Sequence, residues 1–381
     1  MKKIKLLHII THLPTGGAQD NTLFTLELLD TNKYEISLCC NMVGDLVGRA
    51  NAINNIDIFN VPHLVREISI FKDIKAFLAI YKILKTGNFD IIHTHSSKAG
   101  LIARIAAKLY GKSIIVHTVH GFPFNDYMNI FKKYFFIKIE KFLSYISDAI
   151  ITVSSLNKMK LIKLDIVKKS KITNIYSGID LNLFKKRADR SLRNELNIGN
   201  DVFLIGSVGR LSNQKDPLTL VTAFCLVLSK VSNVKLIIVG DGPLKNIVKK
   251  KINELGLEDD IILIGNRPDP WNVYPSLDLF VMSSIYEGLG RAITEALCGE
   301  IPVVCTSVEG VPELVRNDIT GFLVEPKDSK SLADGIIKSI RGIKQSKIMA
   351  REGSKFVKEN FDVNKMVQDI DDLYSLLLGK I

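Results

Sequence analysis

Glu287 and Glu295 stand eight residues apart, on either side of Gly288-Leu289-Gly290-Arg291. The apolar run Leu277 to Met282 before them reads as a buried parallel strand, and Ala292 to Leu297 after them has helix composition. Glu287 therefore belongs to a strand-to-helix loop and Glu295 to the first turns of a helix. Gly288 and Gly290 let backbone approach a ligand with no Cβ in the way, and free N–H groups at a helix N-terminus suit a phosphate. A carboxylate beside a diphosphate is repelled by it, so the two glutamates make sense there only if they hold hydroxyl groups. Phosphate and polyol together describe a nucleotide-sugar. Taken alone, the spacing also fits an ordinary turn followed by a solvated helix glutamate.

Other residues could serve the same chemistry. Arg210 and Lys215 follow a strand ending at Val208. Two cations on such a corner can converge on a diphosphate, Arg as a planar fork and Lys as a point charge, or can be plain surface charge. His93-Thr94-His95 and His117-Thr118-Val119-His120 end two neighbouring strands. No carboxylate or thiolate accompanies them at ligand spacing, so zinc is rejected. They read as strand-end residues facing a polar cleft, some simply satisfied by neighbours. Gly16-Gly17-Ala18-Gln19 after the first strand lacks Gly-x-Gly-x-x-Gly, and no acidic residue ends the second strand, which argues against a dinucleotide oxidoreductase.

The elements that must position these residues alternate. Strands are expected at Lys5 to Ile10, Glu35 to Cys40, Ile56 to Val61, Ile91 to His95, Ile114 to Thr118, Ala149 to Val153 and Lys171 to Tyr176, with a helix at Asp20 to Leu29. The order restarts with Val202 to Gly206, Val234 to Val239, Ile261 to Ile264, Leu279 to Met282 and Val303 to Cys305. Such alternation implies α/β architecture, two doubly wound parallel sheets in tandem. The polar stretch from Gly178 to Asn200 reads as the linker. Ligands of such sheets bind beyond the carboxyl ends of the strands, where every motif above sits.

A chain of 381 residues suits two domains, and its net charge of +11 is uneven. Residues 1–187 hold 27 Lys and Arg against 14 Asp and Glu, whereas the remainder is near neutral. The basic half suggests an anionic partner, a membrane surface or lipid phosphate before a nucleic acid, for which no motif is present; a generally Lys-rich chain is the plainer account. Tyr127 to Phe142 interleaves aromatics with Lys132, Lys133, Lys138 and Lys141. That pattern suits a membrane-surface helix or a core helix with a solvated lysine face. Five cysteines without paired metal spacing read as free thiols in a reducing compartment. The basic-then-apolar start, Met1 to Ile10, is short and broken by His8, so it reads as a first strand and not a signal peptide. No apolar run is long enough to span a bilayer.

Tyr286-Glu287-Gly288-Leu289-Gly290, Glu295-Ala296-Leu297-Cys298-Gly299, Ile301-Pro302-Val303-Val304 and Gly321-Phe322-Leu323-Val324 together resemble the donor half of family 4 glycosyltransferases, and the resemblance extends over nearly the whole chain. It implies a GT-B fold, two Rossmann-like domains facing across a cleft, with an acceptor-side domain at 1–183, a donor domain at 184–363 and a last helix at 364–381 crossing back onto the first. It implies retention at the anomeric carbon. Gly16 and Gly17 would abut the donor diphosphate and sugar, His120 the donor sugar near the reacting centre, and the other histidines the acceptor side. Gly240 would lie on the donor-site floor and Arg267-Pro268 near the base. Arg210 and Lys215 would neutralise the leaving diphosphate with the amides of Gly288, Leu289, Gly290 and Arg291. Glu287 would hold the donor sugar and Glu295 the ribose, with no metal or other cofactor. Asp369-Ile370-Asp371 looks like a metal-binding Asp-x-Asp but sits in a terminal helical pattern and reads as solvated charge. Ser177 departs from an asparagine common in the family, and a local hydrogen bond is expected to survive.

The expected function is transfer from a nucleotide-sugar, UDP favoured, to a hydroxyl acceptor that many relatives carry on a lipid. The setting would be bacterial surface polysaccharide or glycolipid assembly at the cytoplasmic face of the membrane. The rivals are a nucleotide-sugar 2-epimerase of the same fold and a non-catalytic binding scaffold.

Overall fold

A computed structural model describes residues 2–125, 127–184, 191–267 and 269–379. The chain divides into two compact units, Met1–Gly178 with Val363–Ile381, and Ile179–Asp362. The first unit begins β1 (Ile4–His12), α1 (Gly17–Leu28), β2 (Tyr34–Asn41), α2 (Val47–Asn51), β3 (Ile56–Asn60) and α3 (Ile70–Gly87). It continues β4 (Ile91–His95), α4 (Ser97–Tyr110), β5 (Ile114–Val119), α5 (Ile130–Ile146), β6 (Ala149–Thr152), α6 (Ser155–Lys163) and β7 (Ile172–Asn174). The second unit begins α7 (Ser191–Glu195), β8 (Phe203–Val208), α8 (Pro217–Leu228), β9 (Val234–Val239), α9 (Lys245–Glu254), β10 (Ile261–Gly265) and β11 (Leu279–Met282). It ends α10 (Arg291–Cys298), β12 (Val303–Thr306), α11 (Val311–Leu314), β13 (Phe322–Val324), α12 (Ser329–Arg341) and α13 (Ile343–Asn360); α14 (Val363–Leu378) returns to the first unit.

Both sheets are parallel. Their orders are β3-β2-β1-β4-β5-β6-β7 and β10-β9-β8-β11-β12-β13. Unbroken apolar strands such as Leu279–Met282 fit burial on both faces. In each sheet the strand order reverses at one central pair, β1/β4 and β8/β11, and the loops leaving those strands form the crevice where such folds bind ligands. Gly16-Gly17 leave β1, Arg210 and Lys215 leave β8, and Glu287 to Gly290 leave β11.

β13 was not expected as a strand. Its three residues, Phe322-Leu323-Val324, are too short for a periodicity to show, and it is pinned by pairing with β12. The aromatic-basic helix starts at Ile130, later than Tyr127, because Asn129 caps it by accepting from the Phe131 amide at 3.0 Å. The stretch expected to link the domains includes residues 185–190, which lie outside the described residues. On α14, Val363, Met366, Ile370 and Tyr374 join the core built by Leu6, Ile10 and Ile36. The solvated-charge reading of Asp369-Ile370-Asp371 holds for Asp369, paired with Lys365 on its own helix. It fails for Asp371, which accepts from Lys33 Nζ at 2.7 Å and from the Tyr34 hydroxyl of β2. Docking of α14 carries that carboxylate against the start of β2, which a single-helix pattern cannot show.

Candidate active site

In the second unit the two loops at the β8/β11 reversal interlock. Ile285 N donates to Gln214 O at 2.8 Å, Gln214 Nε2 to Tyr286 O at 3.1 Å, and Ser283 Oγ to Lys215 O at 2.8 Å. Gly209, Arg210, Lys215, Met282 and Ser283 line a small cleft there. Lys215 Nζ rests on Oε1 of Glu287, which also accepts from Ser284 Oγ at 2.8 Å. The Glu287 amide donates to Glu309 Oε2 at 3.1 Å, and Glu309 holds a left-handed φ of 40°. Glu287 is buried, yet its Oε2 carries no hydrogen bond among the described residues and can accept from a hydroxyl. Arg210 is exposed and without a side-chain partner among the described residues.

Glu295 lies a turn into α10, also buried. Arg291 Nε donates to its Oε1 at 2.8 Å, and Tyr274 OH to its Oε2 at 2.7 Å. Burial and the neighbouring carboxylate push the Tyr274 hydroxyl well above the ordinary range, so it stays a donor. Each carboxylate oxygen has two lone-pair directions, so Glu295 remains able to accept from a diol. Gly290 caps α10 at φ 100°, a conformation that favours glycine. Gly240 is required by packing, since a Cβ there would lie 2.1 Å from Gly209 O. Arg267 is held by Asp269, at 3.0 Å, and by Glu195 of α7, at 2.8 Å. Pro268 lies outside the described residues. Tyr274, Ser284 and Glu309 were missed by sequence reasoning, because nothing marks a tyrosine upstream of β11 as the partner of a glutamate on α10.

In the first unit Gly16 precedes α1 and Gly17 opens it at the carboxyl end of β1, with Gln19 Nε2 donating back to His12 O at 3.2 Å. Asn21 Nδ2 of α1 donates to Ser177 Oγ at 3.0 Å, so the serine is engaged by a residue far along the chain and not by the local bond expected of it. The histidines need a correction. His93, His95 and His117 do not face a cleft; β4 and β5 are central strands covered by helices, and all three side chains are buried. Strand alternation sends His93 and His95 to the α14 face with His8, and His117 to the α4 face, where its Nδ1 meets Thr94 Oγ1 at 2.8 Å. His120 alone of this set is partly exposed, at the end of β5. Burial lowers His8 to about 3 and His120 to about 4, and holds the other three well below the usual imidazole range. His8, His93 and His95 bring one nitrogen each within 4.8 Å of one another, a potential metal cluster among the described residues. Hydrogen bonds to each other and to Tyr374 already engage those rings.

This geometry, a cation-and-carboxylate cluster at the strand reversal of a Rossmann-like unit, is matched in sequence. Residues 15–183 match the Glycosyltransferase Family 4 family and residues 189–356 the glycosyl transferases group 1. An Escherichia coli UDP-Gal:alpha-D-GlcNAc-diphosphoundecaprenol alpha-1,3-galactosyltransferase is 33% identical over 377 residues, covering 98% of this chain and 97% of that protein. The chain belongs to the group 1, family 4 glycosyltransferases. A Staphylococcus aureus capsular polysaccharide biosynthesis glycosyltransferase, CapM, is 28% identical over 99% of this chain and 98% of its own length. The structure of Anabaena HepE in complex with UDP and glucose matches with a TM-score of 0.83 at 22% identity, covering 98% of this chain and 99% of that one. The two Rossmann-like units of this glycosyltransferase are those of the GT-B fold. No helix among the described residues is long and apolar enough to cross a membrane.

Proposed function

We propose that this glycosyltransferase moves a sugar, with retention, from a UDP-sugar to a hydroxyl of a lipid-diphosphate-linked acceptor in bacterial surface polysaccharide or glycolipid assembly. The observation that carries the donor half of this reading is the interleaving of Lys215 with Glu287 and Arg291 with Glu295 around the Gly290 cap. Cations for a diphosphate and carboxylates for hydroxyls pair where the loops leaving β8 and β11 meet the start of α10. Arg210 and Lys215 take up the charge that grows on the leaving diphosphate. Glu295 holds the ribose and Oε2 of Glu287 the donor sugar. Gly17 and His120 are the first unit's contributions to donor recognition. The acceptor oxygen bonds to the anomeric carbon as the bond from that carbon to the diphosphate breaks, and the acceptor proton passes to a departing phosphate oxygen. The products are the glycoside and the nucleoside diphosphate; in this scheme neither a covalent enzyme nucleophile nor a metal takes part.

The undecaprenol-linked acceptor named for the Escherichia coli relative supports the lipid half. So does the surface of α5, where Ile130, Phe131, Tyr134 and Phe135 are exposed beside Lys132, Lys133 and Lys138. We assign this face to peripheral contact with the cytoplasmic leaflet. The deciding experiment is a screen of UDP-, GDP- and ADP-sugars, without added metal, for thermal stabilisation and slow sugar release. One donor that stabilises the protein, with the effect lost in Glu295→Ala and Lys215→Ala, supports the assignment. Epimerised donor formed without any acceptor, or a trapped glycosyl-enzyme adduct, sinks it.

A further inference from the structure

A continuous line of buried polar atoms runs from α14 to His120. Tyr374 OH lies 2.5 Å from His93 Nδ1 and 3.3 Å from His8 Nε2. His8 Nδ1 lies 2.9 Å from His95 Nε2, and His95 Nδ1 lies 3.1 Å from His120 Nε2. The ring centroids of His8 and His95 are 5.1 Å apart with planes 13° from parallel; those of His95 and His120 are 5.4 Å apart at 29°. In both pairs the centroid separation exceeds the N···N distance by about two ring radii. The rings therefore meet edge to edge along the nitrogen lone-pair direction and do not stack, so both contacts are true hydrogen bonds.

A neutral imidazole has one N–H and one lone pair. A chain of such rings has only two self-consistent arrangements, all donors pointing toward His120 or all pointing away. The end of the chain selects between them. Tyr374 has a single proton for its two ring neighbours, and hydroxyl donors make the shorter bonds; the nearer nitrogen, His93 Nδ1, is the better placed to receive it. His93 Nε2–H then donates to Thr118 Oγ1, at 2.7 Å, and the phenol oxygen is left to accept from His8 Nε2–H.

We propose that Tyr374, His8 and His95 are positioning residues that fix His120 as its Nε2–H tautomer, leaving Nδ1 a bare acceptor for a ligand hydroxyl. His120 Nδ1 has no partner among the described residues, and His120, one residue past the end of β5, is only partly buried. The sequence separates Tyr374 from His120 by the whole of the second unit, so only docking of α14 completes the chain. The ligand role rests on His120 contacting the donor, whereas the tautomer does not.

The test is long-range 1H–15N correlation of the histidine rings in the full-length protein near neutral pH. The unmodified protein should show His8, His93, His95 and His120 all as Nε2–H tautomers, and Nδ1–H on His95 or His120 overturns the proposal. In Tyr374→Phe, His8 loses its acceptor, and His120 should shift measurably toward Nδ1–H with a fall in kcat larger than any change in donor KM. An unchanged His120 tautomer in a folded Tyr374→Phe protein also overturns it. His95→Gln, which keeps an amide in place of Nε2 but cannot reach His120, should uncouple the His120 signal from Tyr374→Phe; coupling that persists counts against the chain. Wild-type activity in His120→Ala would remove the donor role of His120 while leaving the tautomer result standing.

Discussion

The ammonium of Lys215 rests on Oε1 of Glu287, so the cation assigned to the diphosphate and the carboxylate assigned to the sugar neutralise each other across the β8/β11 reversal. In the proposed reaction, Lys215 would let a carboxylate stand beside an anionic donor without repelling it. Removing Lys215 therefore does two kinds of harm: the leaving diphosphate loses a counter-charge, and Glu287 is left with Ser284 as its only side-chain donor among the described residues. Lys215→Ala is expected to lower kcat/KM by roughly 10²–10³. Adding Glu287→Gln to Lys215→Ala should recover part of the donor-induced thermal shift, because the uncompensated charge is gone. Purely additive losses in the double variant would show that the pair does not act as a unit.

Tyr274 supports the carboxylate proposed to hold the ribose. Its hydroxyl donates to a carboxylate in a buried setting, and Phe there leaves the ring volume while deleting a hydrogen bond to a charged group. Such a bond contributes about 1.5–3 kcal/mol. Tyr274→Phe should lower the unfolding free energy by that order in urea titration. It should also raise the donor KM with little change in kcat, since Glu295 binds substrate and transition state alike in this role.

The sequence carried the elements that repeat locally and the loops that interrupt them. Strands such as Ile261–Gly265 and Leu279–Met282 are legible because parallel-sheet burial demands unbroken apolar runs. The loop from Glu287 to Gly290 is legible because chemistry and backbone conformation constrain the same few residues. Partners brought from far along the chain are not legible. Tyr274 reaches Glu295, Asp371 reaches Tyr34, and Tyr374 reaches His8 and His93, each through tertiary docking and not through any spacing. His8 was read only as an interruption of an apolar strand. Its function emerges from register, because β1 sets it directly opposite His93 on β4.

The buried histidines make stability pH-dependent. His8 is held at about 3 and His120 at about 4 by burial, and His93, His95 and His117 are also depressed, His117 further by the Arg104 guanidinium. In the unfolded chain each titrates near about 6.5. A depressed native pKa means the unfolded state binds more protons once pH falls below that value. The stabilisation is full above about pH 6.5 and erodes toward acid, at roughly 1.4 kcal/mol per pH unit for each histidine that stays neutral. Urea midpoints should therefore fall steeply between about pH 6.5 and 5. The slope should drop by about one proton in His117→Gln, and a flat profile would show that the rings protonate without unfolding.

The face of α5 gives the last expectation. Phe131 is 82% exposed and Ile130 69%, a large apolar loss to water unless something covers them, and Lys132, Lys133 and Lys138 flank the aromatics. Insertion of the aromatics into an interface and attraction of the lysines to anionic headgroups would act together, the latter worth about 1 kcal/mol per lysine near the surface. Lys132→Glu with Lys133→Glu reverses two charges and should weaken co-sedimentation with phosphatidylglycerol vesicles by well over tenfold. Raising the salt should weaken wild-type binding, because surface charges are screened within roughly 10 Å at 0.1 M. Phe131→Ser should weaken binding with little change in that salt dependence, since it removes burial and not charge. Activity on a short-chain, water-soluble acceptor should survive all of these substitutions, because none of the substituted residues is among those assigned to the donor. Vesicle binding that is unaffected by both the charge reversals and Phe131→Ser would move the membrane contact away from this helix.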